Sequence, residues 1–201
     1  KFPDLDSMGA ALGIYRCAKY IGKDAFIVLD ESNPSVNYLM QKLEDDEEYS
    51  GVFITSREAM ERVDSQSLLV VVDTHRPSFT EAPKLISMAE KIVVIDHHRR
   101  GPESIENATL AYLEPYASSA SELVTEIVQY FDDKIKLKAI EADAMLAGLT
   151  MDTKNFTFKT GVRTFEAASY LRRAGADPTS VRQLFQDDME TFIARAEAVK
   201  N

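Results

Sequence analysis

Two runs of branched aliphatic residues constrain this chain more than any other feature: LLVVV (68–72) and IVVI (92–95), each ending directly on an aspartate. A strand with one face in water alternates apolar and polar residues, whereas an unbroken apolar run needs cover on both faces. Shorter runs of the same kind lie within DAFIVLD (24–30) and GVFIT (51–55). Between them stand segments with apolar residues at helical spacing: DSMGAALGIYRCAKYIG (6–22), PSVNYLMQKLE (34–44), SREAMERV (56–63) and APKLISMAEK (82–91). Strands alternating with helices predict an α/β fold, a mostly parallel sheet flanked by helices.

The last third reads differently. Helical patterns cover 118–131, 136–153, 162–175, 177–186 and 188–200, which predicts a helical C-terminal part capping the α/β core. Thr55 or Ser56, Ser118 or Ser119, and the Asp177–Pro178 pair are expected helix starts, and Gly22 and Gly175 expected ends. HHRRGPESIENAT (97–109) is the longest expected loop, and the acidic run EDDEEY (44–49) reads as a solvated turn.

At 201 residues the chain is one domain, or one domain with part of a second. The net charge of -10 argues against binding duplex or long single-stranded nucleic acid, and leaves room for a local pocket for a small phosphorylated ligand. No apolar run approaches the roughly 20 residues that cross a bilayer, so no membrane contact is expected of this stretch itself. The opening Lys1, in place of Met, leaves room for targeting or membrane segments upstream. A lone cysteine, Cys17, excludes an internal disulfide; it reads as a core residue in a reducing compartment.

The chemistry gathers at the strand ends. Ligands of open parallel sheets bind at the carboxyl ends of the strands, where Asp73 and Asp96 stand. Asp4 and Asp6 precede the first helix, and Asp152 ends an apolar helix where the chain turns. Each alone has an ordinary reading: helix cap, strand-end turn, structural histidine. Four acid-bearing segments falling on one crevice are harder to dismiss, because clustered carboxylates repel unless cations hold them together. Oxygen-rich ligands with one or two imidazoles suit Mn²⁺ or Mg²⁺, and five or six ligands suit two ions about 3.5–4 Å apart. Such a pair implies metal-assisted attack on a phosphoester.

Four segments, DLDSMGAALG (4–13), VVVDTHRP (70–77), VIDHHRR (94–100) and GLTMDTKNF (148–156), resemble the signature of the DHH phosphoesterases. The wording is most similar to the domain of membrane-anchored bacterial cyclic-di-AMP phosphodiesterases (the GdpP group). The resemblance implies that Asp4, Asp6, Asp73, His97 and Asp152 bind two Mn²⁺, with Asp73 bridging. It further implies that Asp96 orients His97 and that His98 faces the scissile phosphate, making Asp96 and His98 the catalytic pair. His75 and Arg99 are candidate substrate contacts. For His75 a structural hydrogen bond is equally in keeping, and for Arg99 or Arg100 a solvated loop position.

The family's first motif also carries a histidine, which would stand immediately before Lys1, and a first strand before it. Its glycine-rich substrate-binding lobe has no counterpart here. Residues 1–186 are therefore expected to form the metal-binding catalytic lobe, and 187–201 the start of a linker helix to a second lobe. The resemblance implies hydrolysis of cyclic di-AMP to 5′-pApA in the cytoplasm, by a catalytic domain of a membrane-anchored protein. Any homodimer is expected to form through parts outside this chain. The alternatives are a nanoRNase or 3′,5′-bisphosphate phosphatase acting on short linear nucleotides, and a non-catalytic nucleotide-sensing module.

Overall fold

The computed structural model describes residues 3–185. The linker helix expected from residue 187 lies outside them. The central sheet has three parallel strands in the order β3 (Leu68–Val72), β4 (Lys91–Asp96) and β5 (Leu110–Leu113). A second parallel pair joins β1 (Ile27–Val28) to β2 (Phe53–Ile54). Every strand pairing among the described residues is parallel, as unbroken apolar runs require.

The period of the strands explains why those runs are unbroken. On β3 and β4, Val70, Val72, Val93 and Ile95 join the main core, while Val71, Ile92 and Val94 join a separate cluster with Ile86 and Ile105. Neighbouring side chains point to opposite faces, and both faces are covered. β5 was not expected from the sequence. Its burial is partial, with Leu110 and Ala111 exposed, so pairing with β4 rather than an apolar run makes it a strand.

The main core lies among helices α1 (Leu5–Tyr20), α5 (Ala120–Phe131) and α6 (Ala139–Asp152). α6 is buried at Ala142, Ala144, Met145, Leu146, Ala147, Gly148 and Leu149, apolar on nearly every side as a central helix must be. Close approach needs small residues. A Cβ on Gly9 would stand 2.7 Å from the Ala144 carbonyl oxygen, and one on Gly148 would stand 2.6 Å from the Asp6 Cα. α2 (Pro34–Glu44), α3 (Ser56–Arg62) and α4 (Pro83–Met88) complete the α/β part, and α7 (Val162–Arg173) and α8 (Pro178–Leu184) pack against α6.

Helix starts follow local chemistry. Asp4, Asn33, Thr55, Ser119 and Asp177 each accept a backbone N–H of the first turn that follows. The acidic run at 44–49 is more than a solvated turn. Asp46 caps a 3₁₀ turn (Glu47–Tyr49) that buries Tyr49, whose hydroxyl donates to Glu141 at 2.9 Å. Arg16 joins the same group, bonding both Glu141 oxygens and Glu48.

Candidate metal and phosphoester site

The carboxyl ends of β3 and β4 and the ends of two helices meet in one crevice. Asp6 comes from the first turn of α1, Asp73 follows β3, Asp96 ends β4 with His97 and His98 next, and Asp152 is the last residue of α6. Asp73 leaves its strand with φ of 60°, the left-handed region that Asp tolerates better than most residues. Backbone strain of this kind concentrates at functional sites.

His97 Nε2 stands among three carboxylates: 3.2 Å from Asp152 Oδ2, 3.4 Å from Asp73 Oδ1 and 3.8 Å from Asp6 Oδ2. Asp6, Asp73 and His97 are buried, and both ring nitrogens of His97 lack a well-formed hydrogen bond among the described residues. Two triads have ligand atoms within 4.8 Å of one another, Asp73–His97–His98 and Asp6–His97–Asp152. Asp152 is placed against the field of its own helix, since a carboxylate at a C-terminus is disfavoured by roughly 0.3–1 kcal/mol. A cation at the crevice would reverse that sign.

The electrostatics agree. Burial first, and then the charges of Asp73 and Asp152, push the Asp6 carboxyl up to about 8. Burial alone would hold His97 neutral, yet Asp152 and Asp73 outweigh it and raise the imidazole to about 10. Protonation thus does what a divalent cation does in such a cluster. The donor set, hard oxygens with imidazole and no thiolate, fits Mn²⁺ or Mg²⁺.

Asp6 is held by a feature whose partner could not be read from the sequence. The Ala120 and Ser121 N–H groups, in the first turn of α5, donate to its two oxygens at 2.7 and 2.8 Å, and Ser121 Oγ donates to its carbonyl at 3.2 Å. The ASSASE segment (117–122) is a capped helix start, with Ser119 as the cap, and the anion it receives is an aspartate 114 residues earlier. Asp4 accepts the Asp6 and Ser7 N–H groups as the cap of α1, and it belongs to neither triad.

Asp96 was expected to orient His97. Its oxygens instead accept from His75 Nδ1 at 2.5 Å and His98 Nδ1 at 2.7 Å. The Gly101 N–H donates to His75 Nε2 at 3.3 Å, so the single ring proton of a neutral His75 sits on Nδ1. Fully buried beneath Asp96, His75 does not reach the opening. Burial favours a neutral Asp96, but the bonds from His98 and His75 outweigh it and keep the carboxylate ionised, well below the usual range. His98 is half exposed, its ring 4.4 Å from that of His97. Arg99 and Arg100 are exposed and line a neighbouring cleft of about 1050 Å³.

The likeness to known proteins runs along the whole chain. It is 48% identical over 203 residues to the cyclic-di-AMP phosphodiesterase GdpP of Bacillus subtilis (strain 168), covering 100% of this chain and 31% of that protein. It is 43% identical over 206 residues to the cyclic-di-AMP phosphodiesterase PdeA of Listeria monocytogenes, with the same coverage of each. The chain therefore spans about a third of these relatives' length. An exopolyphosphatase-related protein from Bacteroides fragilis shares the fold, with a TM-score of 0.71 at 17% identity over 91% of this chain and 53% of that one. The profile of the DHH family, N-terminal domain, matches residues 1–149, and the chain belongs to the DHH family.

Proposed function

We propose that this chain is the metal-bearing lobe of a phosphodiesterase that opens cyclic di-AMP to 5′-pApA. The observation that carries the chemistry is His97 Nε2 within 3.8 Å of three acidic side chains from three separate elements. The substrate class rests on the likeness to GdpP and PdeA. In this reading Asp4, Asp6, Asp73, His97 and Asp152 hold two divalent cations, Mn²⁺ or Mg²⁺. Bound there, the cations supply Lewis acidity toward a phosphate oxygen and a water.

The chain's own residues do the rest. The amides of Ala120 and Ser121 fix the Asp6 carboxylate, so the metal face of the crevice is set before any ligand arrives. Asp96 holds His98 by Nδ1, leaving Nε2 as the ring atom that reaches a phosphate or leaving oxygen. Held in this orientation by Asp96, His98 is placed to donate a proton to the departing sugar oxygen, which leaves as a hydroxyl. His75, locked beneath Asp96, is a positioning residue.

We place this lobe in the cytoplasmic part of a membrane-anchored protein. No helix of the described residues is long and apolar enough to cross a membrane itself.

The test is a substrate panel on the complete protein with Mn²⁺: cyclic di-AMP, linear dinucleotides, 3′,5′-bisphosphate nucleotides and pyrophosphate. Preferential production of pApA from cyclic di-AMP is expected. Preference for linear dinucleotides or bisphosphates would move the protein to the nanoRNase reading, and binding without turnover to the sensing reading.

A further inference from the structure

The geometry points to a nucleobase-stacking platform on this lobe, formed by Phe156 and Phe165 beside the cations Arg99, Arg100 and Lys159. It deepens the proposed function and rests on it for the identity of the nucleotide. The two rings lie 5.6 Å apart with an interplanar angle of 13°, a parallel stack at the edge of the 1050 Å³ cleft. Phe165 is 58% exposed and Tyr116, on the same cleft, is 94% exposed. Aromatic faces left in water contribute nothing to the fold, whereas a flat aromatic ligand covers them.

Charge marks the cleft as well. The chain carries 33 acidic residues against 23 Lys and Arg, yet Arg99, Arg100 and Lys159 line the cleft and no acidic residue does. None of the three makes an ion pair among the described residues. Phosphate is the anion that accompanies a base.

The backbone supplies an independent sign. Lys154, Asn155 and Phe156 are all left-handed, with φ of 49°, 56° and 60°. Three consecutive residues other than glycine rarely adopt this conformation, and here Thr153 holds it, its Oγ accepting the Phe156 N–H at 3.0 Å. The turn places the Phe156 ring against Phe165 four residues after Asp152. Arg99 directly follows His98 and lines the same cleft as Phe156 and Phe165, so the cleft that holds the stack adjoins the segment carrying His98.

The chain contains no tryptophan, so Phe165→Trp creates its only indole. Titration of that variant with pApA should quench the fluorescence saturably, and ribose 5-phosphate, which has no base, should not. No quenching, or equal quenching by both, overturns the platform. In the complete protein, Phe165→Ala should raise KM for cyclic di-AMP by roughly 5- to 100-fold with kcat little changed, and Phe165→Tyr should restore it. An unchanged KM alongside normal turnover removes the platform and leaves the function standing. Absence of turnover in the unmodified protein removes the function and leaves the quenching test intact.

Discussion

His97 and His98 are adjacent in sequence and unequal in setting. His97 is buried among Asp6, Asp73 and Asp152, while His98 is half exposed and tied to Asp96. Substitutions should separate the two environments. Asp73→Asn keeps the volume and tolerates the left-handed backbone, so the fold should survive while Mn²⁺-dependent turnover falls about a hundredfold or more. Calorimetry should show weakened Mn²⁺ binding, and undiminished binding and turnover would remove Asp73 from the ligand set. Asp96 is a member of neither triad, and it touches one of them only through its bond to His98 Nδ1. Asp96→Asn should lower kcat by a factor on the order of 10²–10⁴ through His98, with Mn²⁺ affinity within a few-fold of normal. A loss of metal affinity equal to that of Asp73→Asn would return Asp96 to the role of orienting His97.

Helices and strands differ in how openly the sequence shows them. α1, α2 and α3 begin within a residue of their expected starts because Asp4, Asn33 and Thr55 are side-chain caps. β3 and β4 are legible because both faces are buried, and their terminal aspartates mark the crevice. β5 is hidden because an edge strand with two exposed positions carries no apolar run. The grip of α5 on Asp6 is hidden for another reason: backbone amides leave no trace in residue identity, and only the fold brings them together. Gly148 makes that junction, since a Cβ there would meet Ser121 Oγ at 2.5 Å and the Asp6 Cα at 2.6 Å. Gly148→Ala should push α6 off α1 and α5, costing roughly 1–3 kcal/mol of stability and weakening Mn²⁺ binding together. Urea melts and calorimetry on one sample check both, and normal values for each would show that the junction can relax.

At the scale of the whole molecule, the crevice sets how stability depends on pH. The folded chain confines Asp6, Asp73, Asp152 and His97 where the unfolded chain leaves them in water. Asp6 is raised from its ordinary 3.8 to about 8, so its contribution is complete below about 4 and is lost as pH rises through about 8. His97, raised from 6.5 to about 10, acts in the same sense: its contribution is complete below about 6.5 and is lost as pH rises through about 10. Asp96 acts oppositely, its lowered pKa stabilising the fold above about 3.8 and losing that effect in stronger acid. Without metal, the thermal midpoint should therefore be highest on the mildly acidic side and fall steadily from about pH 5 to about pH 9. Divalent cations bind the deprotonated ligands, so Mn²⁺ should raise the midpoint more at each step upward in pH, and the two curves should diverge. Scanning calorimetry in chelator and in Mn²⁺ measures the gap directly. A chelator curve that rises toward alkaline pH, or a gap that stays constant, would mean that the carboxylates do not share the crevice as described.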